Sequence, residues 1–332
     1  MNTPTETNDT IPTADVGGQP APTQSRGRNA HRNRAKPLPP PKVSYEASAQ
    51  VQQWLRAQEI ERIGTKPAFE PTFLAGQRDR PWVLSSLTHF YEDDLLADVL
   101  GVIKSGKEAT VYWCAAGPDA AMEYAAAKVY RPRMFRGLKN DVVYREGRPI
   151  YDAAGFEVRS RREVRGALKK TEHGRAVEVA SWIAYEHQTQ RVLFEAGGDV
   201  PRPLGQMGNA LLMAYVGAPG DAAPLLAHVR LDPDEVRSLF ERILRNIELF
   251  LSRDRIHGDL SAYNVLYWEG EITIIDFAQV VDPRYGQAAT AFGLLQRDIE
   301  RVCRYFARYG IEANARELTA EMWARYEAGM PE

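Results

Sequence analysis

The stretch that decides the fold is HGDLSAYN at residues 257–264, followed by IIDF at 274–277. Asp259 precedes Asn264 by five positions, and Asp276 comes twelve residues after Asn264. Phosphoryl transfer needs this combination. One carboxylate orients a hydroxyl and accepts its proton, while an amide and a second carboxylate hold magnesium against the phosphates. Alone, each residue is an ordinary turn former or strand-end cap. Between them NVLYW and EITIID read as two short strands about a turn at Glu269-Gly270, and a hairpin there would bring Asn264 and Asp276 together.

Working upstream, Lys128 sits in the apolar strand AAAKVYR, where a cation is costly to bury without a partner. The long helical stretch 176–196 that follows supplies Glu186, the expected ion-pair partner in preference to Glu178 and Glu195. VIKSGKEATVYWC reads as two strands about a Ser-Gly-Lys turn, which would cover the phosphates. Gly101 to Lys107 matches G-x-x-x-x-G-K, but Glu108 stands where a P-loop places Ser or Thr for magnesium. The chain also continues as strand where a P-loop opens a helix, so that reading is excluded.

SGKEATVYW, AAKVYR, the helix containing Glu186, LLMAYVG, HGDLSAYN and IIDFAQ, in this order, resemble the RIO family of atypical protein kinases over about residues 81–310. Ordinary protein kinases carry a G-x-G-x-x-G loop that is absent here. The resemblance implies an α+β, bilobal protein-kinase-like fold and an ATP- and magnesium-dependent serine/threonine protein kinase. Such a protein can also work as an ATPase switch on a larger ribonucleoprotein. It implies that Ser105, Gly106, Lys107 and Glu108 contact phosphates, that Lys128 does so held by Glu186, and that Met213 and Tyr215 meet the adenine. Asp259 is the implied catalytic base. Asn264 and Asp276 are the implied metal ligands, and Asp276 is by analogy also able to accept the phosphoryl group. A small-molecule phosphotransferase of the aminoglycoside or choline type shares H-G-D-x-x-x-x-N, but the S-G-K-E-A turn argues against it. A catalytically silent nucleotide-dependent module finds no support, because every catalytic position is filled. Only 56 residues follow Asp276, with no A-P-E among them, so the peptide-docking helices of ordinary kinases are not expected.

The chain then divides into a disordered basic, proline-rich tail (1–42), a helical extension (43–80), a strand-rich N-lobe (81–213) carrying a flexible basic loop (131–175), and a reduced helical C-lobe (214–332). Finer reading places helices over 46–63, 84–102, 234–253 and 289–328, with a strand over 210–217. The tail holds eight prolines and no aromatic residue. Lys and Arg exceed Asp and Glu by three in the tail and by seven in the loop, within a chain of net charge −2. The body is therefore acidic, unlike a protein that binds nucleic acid over its whole surface, and RNA or a ribosomal particle would have to engage the tail and loop. Two cysteines, Cys114 and Cys303, are too few for a disulfide framework or a cysteine-rich zinc site. Without a membrane-length apolar run or a signal-peptide pattern, the expected setting is the cytoplasm.

Overall fold

The structure is a computed structural model that describes residues 66–74, 77, 79–131 and 172–329, with the helix backbone alone given for 172–178. The chain divides into Met1–Lys42 and Val43–Glu332, and every described residue lies in the second unit. The expected tail, the helix over 46–63 and the basic loop between its ends fall outside the described residues. Among the described residues of the expected helical extension there is one 3-10 turn, at Thr72–Leu74.

Helix α1 (Arg80–Glu92) opens with Pro81 in its first turn, and leads into strands β1 (Leu96–Ser105), β2 (Ala109–Ala116) and β3 (Tyr124–Tyr130). The long helix α2 (Glu172–Glu195) is followed by β4 (Pro203–Met207) and β5 (Ala210–Ala214). These strands form one antiparallel sheet in the order β1-β2-β3-β5-β4. The period of two then sorts its faces. Ala125, Ala127 and Val129 of β3 join Tyr112, Cys114, Ala210 and Leu212 in a core that includes Trp82, Val83, Leu87 and Phe90 of α1. The intervening positions Ala126, Lys128 and Tyr130 therefore face the other way, where Tyr130 and Leu211 pack with Val179, Trp182 and Ile183 of α2. Alternation alone thus points Lys128 at the helix that carries Glu186.

The helix expected over 84–102 instead ends at Glu92, and residues 96–105 are strand. Asp94 adopts a left-handed conformation (φ 57°) that stops the helix. Irregularities in β1 at Leu96/Asp98, Val99/Gly101 and Val102/Lys104 break its alternation, so that Leu96 and Val99 are buried three apart. That spacing imitates a helix face, and only pairing with β2 distinguishes the two. The short β4, containing Pro203 and Gly205, lies at a sheet edge where a missing N–H is tolerated, and the sequence pattern does not announce it.

β5 ends at Ala214, three residues short of the expected strand, because the chain turns at Gly217. There φ is 134°, and a Cβ would lie 2.4 Å from the Asp221 carbonyl oxygen. Gly217 opens the short strand β6 (Gly217–Ala218), which pairs with β7 (Asp221–Ala222) across a turn at Pro219-Gly220. Helices α3 (Pro233–Ser252), α4 (Ala288–Ala307) and α5 (Ala315–Glu327) form the second lobe. α3 starts with a capping box in which the Asp232 N–H donates to Glu235 Oε1 at 3.0 Å. Its apolar stripe of Val236, Leu239, Phe240, Ile243, Ile247 and Phe250 packs against Leu295, Ile299 and Phe306 of α4 in one core. The hairpin β8 (Val265–Trp268) and β9 (Glu271–Ile274) completes this core through Val265, Ile272 and Ile274. Its two turn residues, Glu269 (φ 51°) and Gly270 (φ 82°), both have the positive φ that a type I′ turn requires.

Candidate active site

Lys128 Nζ lies 2.7 Å from Glu186 Oε1 and 2.8 Å from Asp276 Oδ1, so one cation bridges β3, α2 and the residue just beyond β9. Burial opposes the charge on Lys128, but Asp276 and Glu186 outweigh it and raise its pKa well above the ordinary lysine value. The same contact holds Asp276 below the usual carboxylate range; Lys128 is the main cause, opposed by burial, with smaller help from His257 and Lys104. Glu186 is 3% exposed, and its second oxygen accepts a hydrogen bond from the Tyr130 hydroxyl. The Lys128 ammonium also lies 5.1 Å from the centre of the Tyr130 ring.

Asp276 has left-handed backbone (φ 70°), which turns its side chain out of line with the strand behind it, and it is 47% exposed. The Ile275 N–H donates to the Asn264 carbonyl at 2.9 Å, so the hairpin ties the two expected metal ligands together at its open end. Asn264 Nδ2 donates to the Asp259 carbonyl at 2.9 Å and lies 3.5 Å from Asp259 Oδ2. With its nitrogen so engaged, the amide presents Oδ1 as the atom a metal would use. A carboxylate and an amide oxygen are hard donors suited to magnesium, which takes its remaining ligands from phosphates and water. His257 Nδ1 accepts from the Asp259 N–H at 3.3 Å, which leaves Nε2 as the donor to the Ile275 carbonyl at 3.1 Å. Burial depresses the pKa of this imidazole, in keeping with that neutral form.

The turn Ser105–Glu108 joins β1 to β2, where the Gly106 N–H donates to the Ala109 carbonyl at 2.9 Å. Ser105 Oγ accepts from Arg131 Nη2 at 2.5 Å, and Lys107 and Glu108 are exposed. Met213 pairs with Ala126 across the sheet and its sulfur lies 3.7 Å from Gln190 Nε2. The Tyr215 hydroxyl donates to the Ala218 carbonyl at 3.0 Å, and its ring stands 6.3 Å from both Trp113 and Tyr124.

Sequence reasoning missed Tyr130, Trp182 and the residues of α4 that grip the loop around Asp259. The Trp182 indole donates to the Ala278 carbonyl at 2.9 Å, fastening the segment after Asp276 to α2. Asp298, 2% exposed, accepts from the Gly258 N–H at 2.7 Å and the Leu260 N–H at 3.0 Å, so the backbone is pinned on both sides of Asp259. Burial raises the Asp298 carboxyl to about 7 against these two hydrogen bonds. A signal for it existed, since an acid stands in the apolar stripe of an amphipathic helix.

A model of the RIO domain matches residues 111–318, a range containing Lys128, Glu186, Asp259, Asn264 and Asp276. The chain belongs to the RIO family. Among its relatives, a RIO-type serine/threonine-protein kinase Rio1 of Haloferax volcanii is 29% identical over 221 residues, covering 66% of each chain. The corresponding protein of Methanocaldococcus jannaschii is 29% identical over 224 residues, 67% of this chain and 68% of the relative. The human serine/threonine-protein kinase RIO1 is 27% identical over 226 residues, 68% of this chain but 36% of the relative. The RIO chain thus matches about two thirds of the archaeal relatives' length and little more than a third of the human one. Among solved structures, the Rio2 kinase–ADP/Mg2+–phosphoaspartate complex of Chaetomium thermophilum has a TM-score of 0.48 at 18% identity, with 74% of each chain covered. The relatives named here are all serine/threonine-protein kinases of the RIO type.

Proposed function

We propose that this RIO-family chain transfers the γ-phosphoryl group of ATP to a serine or threonine hydroxyl of a protein, with magnesium, or to water as an ATPase switch. The observation that carries the reading is Lys128, paired at once with Glu186 and with Asp276. A buried ion pair costs desolvation, and the Asp276 end stands half exposed at the mouth of the site, where an anionic ligand has access. Lys128 and the turn Ser105–Glu108 bind phosphates, while Met213 and Tyr215 flank the adenine. Asn264 and Asp276 hold magnesium, which when bound neutralises phosphate charge. Asp259 accepts the acceptor's proton as the oxygen–phosphorus bond forms, and the bond between the γ-phosphorus and the bridging oxygen breaks with its electron pair leaving on ADP.

Incubation with γ-labelled ATP and magnesium, resolving phosphoprotein from free phosphate with small-molecule acceptors alongside, tests this. Label in protein or in phosphate is expected. Absence of both, or label passing to the small molecules, overturns it.

The partner surface in this reading is the basic tail and loop, with RNA or a ribosomal particle as ligand. The setting is the cytoplasm, consistent with Cys114 and Cys303 both being free thiols. No described helix is long and apolar enough to cross a membrane.

A further inference from the structure

Resting on the assignment of Asp259 as the proton acceptor, we propose that Arg301 is a positioning residue that fixes the Asp259 carboxylate for transfer. Arg301 Nη1 lies 2.7 Å from Asp259 Oδ1. Residues 297, 298 and 301 fall at i, i+1 and i+4 on α4, so they reach the same loop from one side. Arg297 donates to the Gly258 carbonyl, and Asp298 takes the N–H groups of Gly258 and Leu260. These contacts fix the backbone on either side of Asp259 but leave its side-chain torsions free. Arg301 removes that freedom. With Oδ1 held by the guanidinium, Oδ2 faces Asn264 Nδ2 at 3.5 Å and is the oxygen left for the acceptor's proton.

The alternative is that the pair merely supports the fold. Its exposure argues otherwise, since Arg301 is 34% and Asp259 49% exposed, and ion pairs in contact with solvent contribute little to stability. Orientation is a far more sensitive quantity, because a misplacement of about 1 Å at a reacting group costs on the order of 100-fold in rate. The two roles therefore predict opposite patterns. A fold-supporting arginine affects the unfolding temperature and spares turnover, whereas a positioning arginine does the reverse.

The experiment compares Arg301→Ala, Arg301→Lys and Asp259→Asn with the parent full-length protein, using γ-labelled ATP with magnesium and counting phosphoprotein and released phosphate over a range of ATP concentrations. For Arg301→Ala the expected result is kcat lower by about 10- to 100-fold, KM for ATP within about twofold and a nearly unchanged unfolding temperature. Arg301→Lys should recover most of the loss, because a single nitrogen makes the contact and an ammonium can replace it. Parental or higher kcat in Arg301→Ala overturns the proposal, as does a change confined to KM or a lysine variant as impaired as the alanine one. Asp259→Asn separates the two levels. If it turns over at the parental rate, the reading of the site fails; if it is inactive while Arg301→Ala is normal, only the role of Arg301 fails.

Discussion

Lys128 and Asp276 meet at 2.8 Å although 148 positions separate them, and Lys128 is simultaneously the only cation paired with Glu186 among the described residues. Replacing Lys128 with alanine therefore has two effects. Turnover should fall by about two orders of magnitude or more, the scale seen when a preorganised group that stabilises phosphate charge is removed. Stability should fall by about 3–5 kcal/mol, because Glu186 stays buried without its cation. The Tyr130 hydroxyl still bonds Glu186, so the variant is expected to fold. Circular dichroism with urea unfolding measures the second effect, and parental turnover would reduce Lys128 to a strand residue.

Asp259→Asn should abolish phosphoryl transfer while leaving ATP affinity within about twofold, since the base acts on the acceptor and not on the nucleotide. Calorimetric titration with a non-hydrolysable ATP analogue, alongside the labelled-phosphate assay, separates binding from chemistry. A large loss of affinity would move Asp259 from the acceptor side to the nucleotide side.

In Asp276→Ala, the expected loss is in metal-dependent nucleotide binding, because Asn264 alone is a poor magnesium ligand. Lys128 keeps its contact with Glu186, so the protein should remain folded. Affinity measured with magnesium and again with a chelator should become the same in the variant. Retention of the parental magnesium dependence would count against the assignment.

A pH dependence of stability follows from His187 on α2, whose pKa burial, helped by Arg191, lowers from 6.5 to about 4. Between these values the unfolded chain binds more protons than the folded one, so stability rises with pH there. The contribution is fully present above about 6.5 and lost as pH falls toward 4, amounting to about 3 kcal/mol. Buried His257 acts in the same direction, whereas Asp298, pushed up to about 7, acts in the opposite one. The informative quantity is therefore the difference between parent and His187→Gln in urea unfolding from pH 7.5 to 4.5. The variant should show the shallower acid decline, and parallel curves would refute the argument.

Deleting residues 1–42 tests the charge of the tail. If tail and loop hold RNA, binding should weaken steeply with salt, because each neutralised phosphate releases counterions. The truncated protein should show a shallower salt slope with unchanged ATP turnover. Filter binding that detects no RNA affinity at physiological salt in either form would dismiss the tail as a nucleic-acid contact.

Residue order alone carried the reading wherever the constraint is local. The hairpin at Glu269-Gly270 was legible because two adjacent positive-φ residues are needed between two alternating runs. The partnership of Lys128 with Glu186 was legible because a lysine in an apolar strand demands an acid from a nearby helix, and the period of two decides which face it takes. Tertiary structure decided what depends on pairing between distant segments. The first part of β1, residues 96–101, read as helix until its irregular ladder with β2 explained the spacing of Leu96 and Val99. The second bond of Lys128, to Asp276, and the grip of Arg297, Asp298 and Arg301 on the loop around Asp259 could not be read from order. Those partners are set by how α4 and the β8–β9 hairpin pack against the rest of the molecule, and hydrophobic burial, which drives that packing, is non-directional and names no polar pair in advance.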